Sequence, residues 1–127
     1  MFHGYGNLLY YPSWWLIMKV DEEICRYYRN LIHFHYRSLQ LNPSRNGAHI
    51  TIIAGKYEVP DAEHKYLWNK YEGENVNFEY NHEINTDGEY FWMEVECKRI
   101  EEIRKELGLT PKIIQPWHLT VGNIKTL

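Results

Sequence analysis

The sequence predicts an α/β (α+β) fold of two lobes, with largely antiparallel sheets around a central cleft and helices on the outer faces. Three observations lead there. Short apolar runs of strand length alternate with segments of helical period. Asp87-Gly88 is a strong hairpin signal between two such runs. A strand, helix, loop, strand pattern also occurs twice, running from WWLIMKV to HITI and from YFWMEV to HLTV. With 127 residues, the chain fits one domain, residues 1–127, and the two halves read as pseudo-symmetric lobes sharing a cleft.

Trp14 to Val20 follows a Pro-Ser break and has the length and composition of a buried strand. From Asp21 the period changes. Ile24, Tyr27, Tyr28, Leu31, Ile32 and His35 fall at helical spacing behind an Asp cap and two first-turn glutamates, which predicts a helix over 22–36. Asn42 to Gly47 is turn chemistry, and Ala48 to Ala54 is a second strand. Pro60 and Asp61 open a short helix through about Lys70. Strands are expected over Val76 to Ile84 and Glu89 to Glu96. A third helix carries Ile100, Ile103 and Leu107 on one face and stops at Gly108. Pro111 and Pro116 bracket a loop before a last strand, Trp117 to Val121.

A hydrophobic fraction of 44% and an aromatic fraction of 16% supply a core and argue against disorder. The formal charge of -3 disfavours long nucleic acid as a partner and leaves room for a small anion held by local donors. Cys25 and Cys97 are too few for a disulfide framework and read as reduced, buried thiols. The apolar stretch from Leu8 to Val20, broken by Pro12 and Ser13 and carrying Lys19, is too short for a membrane span and lacks the marks of a signal peptide. A cytoplasmic location is the resulting expectation.

The most informative feature is the pair His49-Ile50-Thr51-Ile52 and His118-Leu119-Thr120-Val121, each on an expected strand. Strand side chains alternate, so each His and the Thr two positions on share a face while the apolar residues turn to the core. Two such strands across a cleft bring two imidazoles and two hydroxyls to one point. One neutral imidazole accepts a proton while a charged one donates, and the hydroxyls bond non-bridging phosphate oxygens.

These motifs resemble those of the 2H phosphoesterase superfamily, which is marked by two His-x-Thr/Ser motifs, each followed by an apolar residue, on strands of a two-lobed fold. The resemblance implies that His49 and His118 are paired general acid and base, that Thr51 and Thr120 assist, and that no metal or other cofactor is needed. The aromatic N-terminal strand, the short chain and the 69-residue interval between the histidines are similar to the phage anti-CBASS phosphodiesterases, which degrade cyclic oligonucleotide signals. That likeness implies a cyclic di- or trinucleotide substrate, a host-cytoplasmic setting and a first product ending in a 2',3'-cyclic phosphate. Alternatives within the superfamily are action on RNA 2',3'-cyclic phosphate ends or on 2',5'-oligonucleotides. Outside enzymology, the same cleft suits a nucleotide-sequestering module.

Around the motifs, Tyr10, Tyr11 and Trp117 serve either core packing or a stacking face at the cleft mouth. Arg45, in the turn before His49, is either solvated or in reach of a second phosphate. His3, His33, His35, His64 and His82 lack the motif context and are assigned to surface or packing. The run KRIEEIRKE is read as a solvated helix face.

Overall fold

A computed structural model of the protein describes residues 1–113 and 115–124. Seven strands and two α-helices follow in the order β1 (Phe2–Tyr11), β2 (Trp15–Val20), α1 (Glu22–His35), β3 (His49–Ile53), β4 (Asn75–Tyr80), β5 (Asn85–Thr86), β6 (Tyr90–Glu96), α2 (Lys98–Glu106) and β7 (Trp117–Asn123). The fold is mixed α and β, with an antiparallel sheet and both helices contributing to one core.

β1 is a ten-residue strand where the sequence analysis placed none. Gly4 and Gly6 disguise it, since glycine weakens a strand interior. Both are required by close approach: a Cβ at Gly4 would lie 2.5 Å from the Phe78 ring, and one at Gly6 would lie 2.4 Å from the Lys19 carbonyl oxygen. β2 and α1 form as expected. The Asp21 carboxylate accepts from the Glu23 N–H at 2.9 Å, and Cys25, Tyr28 and Ile32 form the buried stripe of α1.

The helix expected between Pro60 and Lys70 is not formed. Only a single 3₁₀ turn, Lys65–Leu67, interrupts a series of turns, and it buries no residue. Without an apolar stripe the segment gains nothing from helical periodicity. The Asp61 carboxylate instead holds the Glu63 and His64 N–H groups in a turn. Likewise the strand expected over Val76 to Ile84 ends at Tyr80, where the Asn81 side chain accepts from the Glu83 N–H at 3.0 Å. The hairpin at Asp87-Gly88 is present. The Asp87 carboxylate accepts from the N–H groups of Glu89 and Tyr90, and Gly88 has φ of 95°.

The strands make one sheet in the order β4-β1-β2-β3-β7-β6-β5, with antiparallel pairings throughout and a further pairing of β4 with β6 at Glu79–Glu96 and Tyr80–Val95. The six longer strands therefore run round to meet again. The two halves of the chain touch at β3–β7, where the registered pair is Ile50 with Leu119. α1 then serves the β7 backbone, with the Arg29 guanidinium donating to the Val121 carbonyl at 2.8 Å and the Cys25 thiol to the Thr120 carbonyl at 3.5 Å.

Leu8, Leu16, Met18, Ile50, Ile52, Met93, Leu119 and Val121 occupy the core face of the sheet, together with Ile100 and Ile103 of α2. Both cysteines are buried and free. Burial pushes the Cys25 thiol up to about 11. One charged residue departs from the expectation for α2. Arg104, read as part of a solvated face, is fully buried. It donates to the Ile52 carbonyl at 2.9 Å and the Thr110 carbonyl at 2.8 Å, pairs with the Glu58 carboxylate, and lies 5.3 Å from the Trp117 ring centre. No described helix is long and apolar enough to cross a membrane.

Candidate active site

The alternation anticipated for the two motifs is present on both strands. Ile50, Ile52, Leu119 and Val121 are fully buried, while His49, Thr51 and Thr120 are half-buried and His118 reaches solvent. In the antiparallel frame set by Ile50 and Leu119, His49 lies across from Thr120 and Thr51 across from His118. Side chains directly opposite are about 5 Å apart at Cβ, and diagonal ones about 7–8 Å. The imidazoles therefore occupy one diagonal of a small quadrilateral and the hydroxyls the other. A tetrahedral phosphate placed at the centre would have an imidazole on either side.

Each imidazole is anchored by the backbone two residues before it. His49 Nδ1 lies 2.7 Å from the Gly47 carbonyl oxygen. Donation from Nδ1–H to that oxygen leaves Nε2 free for proton transfer. His118 has a backbone hydrogen bond to Pro116. Burial of its ring nevertheless holds the pKa below the ordinary imidazole value. The backbone bond opposes that shift, and the charge on His49 adds to it. Although part of the ring is in solvent, the sheet beneath it and Trp92, 6.4 Å away centre to centre, remove much of its water.

Flanking strands add five residues to this face that the sequence analysis did not single out. Lys19 pairs across from His49 and Ile17 from Thr51 on β2, while Trp92 pairs with Thr120 and Glu94 with His118 on β6. Trp15 stands edge-on to His49 at 5.8 Å between ring centres. The signal for these positions was the phase of WLIMKV and FWMEV relative to the motif strands, which becomes readable only once strand pairing is known.

The candidate substrate contacts divide. Tyr11 stays near the face, stacked on Trp15 at 4.9 Å with 37% of its surface exposed. Arg45 is exposed in the Ser44–Gly47 turn, with no ion-pair partner among the described residues. Tyr10 and Trp117 turn the other way, contrary to a contact with substrate. Tyr10 packs edge-on against Trp68 at 4.9 Å, on the side of Leu8, and burial pushes its phenol up to about 12. Trp117 is 6% exposed and lies over Arg104. In each case strand alternation decides: Tyr10 is in phase with Leu8, and Trp117 with Leu119. Of the remaining histidines, His33 bonds the Leu39 carbonyl, His64 pairs with Asp61 and His82 packs on Phe2. A cavity of about 780 Å³ near Asn77, Glu96, Lys98 and Lys112 contains neither motif histidine, so the four converging side chains and not the volume locate the site.

A family model described as the Swiss Army Knife 2H phosphoesterase domain matches residues 17–126, which include both motifs. No curated protein and no solved structure matches the chain.

Proposed function

Because the chain belongs to the Swiss Army Knife 2H phosphoesterases, hydrolases of phosphoester bonds, we propose that it cleaves 3',5'-phosphodiester bonds of cyclic di- or trinucleotide signals without a metal ion. The observation that carries this reading is the β3–β7 register, which sets His49 against Thr120 and Thr51 against His118. A phosphodiester between them has a proton acceptor and a proton donor on opposite sides of phosphorus, and a hydroxyl for each non-bridging oxygen.

In the first step one histidine removes the proton of a ribose 2'-hydroxyl. The 2'-oxygen attacks the adjacent 3'-phosphorus, and the other histidine protonates the departing 5'-oxygen. The product is a linear oligonucleotide ending in a 2',3'-cyclic phosphate. His118 is assigned as the base of this step, because desolvation and the like charge of His49 lower its pKa and favour its neutral form. The biological reading is phage evasion of CBASS immunity in the host cytoplasm. It is supported by the aromatic run before the first motif and the 69-residue interval. The two halves, β2–α1–β3 and β6–α2–β7, are further proposed to be copies of one ancestral unit.

The test is chromatography of cyclic dinucleotides and trinucleotides after incubation in EDTA with wild type, His49→Ala and His118→Ala. Parallel incubations contain RNA 2',3'-cyclic phosphate ends and 2',5'-oligonucleotides. Cleavage of a cyclic oligonucleotide by wild type alone is expected. Cleavage confined to RNA ends or 2',5' linkages would move the substrate while keeping the chemistry. Intact ligand throughout would leave sequestration as the function.

A further inference from the structure

The site face continues past His49 onto β1. Asn7 pairs with Lys19, and Lys19 pairs with His49, so the three side chains form one row across adjacent strands. At about 4.8 Å per strand, Asn7 stands about 10 Å from His49. A depression of about 280 Å³ lies along this row, lined by Tyr5, Asn7, Leu9, Lys19 and Asp21.

The chemistry of the lining is uneven in a useful way. Lys19 has no carboxylate within ion-pair distance among the described residues. Its Nζ and the Glu22 carboxylate both border Gly47, Glu22 also accepting from the Ala48 N–H at 2.6 Å, while the Asp21 carboxylate accepts from the Glu23 N–H. Tyr5 is 62% exposed, between glycines 4 and 6, which put no side chain on the opposite face. The Asn7 amide N–H group donates to the Gly73 carbonyl at 3.1 Å, which holds that side chain in place. On the other side of the motifs, Glu94 stands across from His118 and repels a second phosphate. A second phosphate is therefore disfavoured beside Glu94 on β6, while on the β1 side it meets the Lys19 ammonium on a lining that also carries Asp21. β1 lies outside residues 17–126, so the family match says nothing about Tyr5, Asn7 and Leu9, whereas Lys19 falls inside it.

We infer that this shelf is a subsite for the nucleotide unit adjoining the reacting phosphodiester, with Lys19 meeting its phosphate, Tyr5 stacking on its base and Leu9 supplying the apolar floor. The inference rests on the proposed phosphodiesterase reading and is tested apart from it with ligands that cannot react. A 5'-phosphorylated 2'-deoxydinucleotide and the corresponding 2'-deoxymononucleotide lack the attacking hydroxyl, and both are titrated calorimetrically against wild type, Lys19→Met and Tyr5→Ala. Both side chains are exposed, and thermal melts of the variants check the fold.

Wild type is expected to bind the dinucleotide about tenfold tighter than the mononucleotide, as one added stacked base and one phosphate contact warrant. Each variant is expected to lose most of that gain. An undiminished gain in both variants, or no gain in wild type, overturns the subsite. If the gain and its loss are as expected but no ribonucleotide substrate is cleaved, the subsite stands and the catalytic reading falls.

Discussion

The four motif side chains are unequal partners in the proposed chemistry. Replacing His49 or His118 with Ala is expected to slow cleavage by about 10²- to 10⁴-fold, the range for loss of a general acid or base. The fold should persist, since neither ring belongs to the core. A folded His118→Ala protein with normal turnover would sink the mechanism. Thr51→Val or Thr120→Val removes a hydrogen bond to a charged oxygen worth about 1.5–3 kcal/mol, so a loss of about tenfold to a hundredfold is expected in kcat/KM. The lowered pKa of His118 has two readouts. By NMR titration its protonation falls below the ordinary value of about 6.5, and His49→Gln moves it upward by removing the like charge. Because the folded-state value is depressed, His118 contributes stability above the ordinary value that is lost as pH falls through the depressed one. In rate measurements the acidic limb of kcat/KM should follow this same titration, with activity rising as His118 loses its proton. A limb unaltered from a free imidazole would reassign the base.

At the scale of elements, the two motif strands were legible because each combines β-branched residues with strict alternation, and because the motifs repeat. β1 was illegible for the opposite reason: its two glycines answer to Phe78 and to the Lys19 carbonyl, neighbours known only from the fold. Gly6→Ala is accordingly expected to cost about 1–3 kcal/mol, as overpacking does, measurable as a lower urea midpoint. Arg104 was misread because opposite charges at helical spacing ordinarily face water. Here one of them passes beneath the sheet to the carbonyl after Thr51 and to the ring before His118. Arg104→Met leaves Glu58 without its buried cation, so a loss of about 3–5 kcal/mol is expected on denaturant unfolding. Activity should fall further than the unfolded fraction explains, since both motif strands lose a shared anchor. An unchanged melting temperature would show that the pair is dispensable.

For the whole molecule, the sequence reading expected two lobes with their own sheets, whereas the described strands form one sheet in which the two halves meet. Helix α1, helix α2 and most strands other than β1 were readable from periodicity, and the alternation of both motifs was readable with them. Neighbourhood was not, because which strand lies beside which is set by long-range pairing, and periodicity carries no address for a partner. Of the two alternatives open for Tyr10 and Trp117, the structure has core packing: each is adjacent in sequence to a candidate site residue and therefore on the opposite side of the sheet. The halves are joined twice, at Ile50–Leu119 and again at Glu79–Glu96 and Tyr80–Val95. A door hung at both edges does not swing. Any motion that widens the gap between the histidines by rotating one half must break pairing at the far junction, so under the proposed mechanism the two imidazoles would be held at their spacing before substrate arrives.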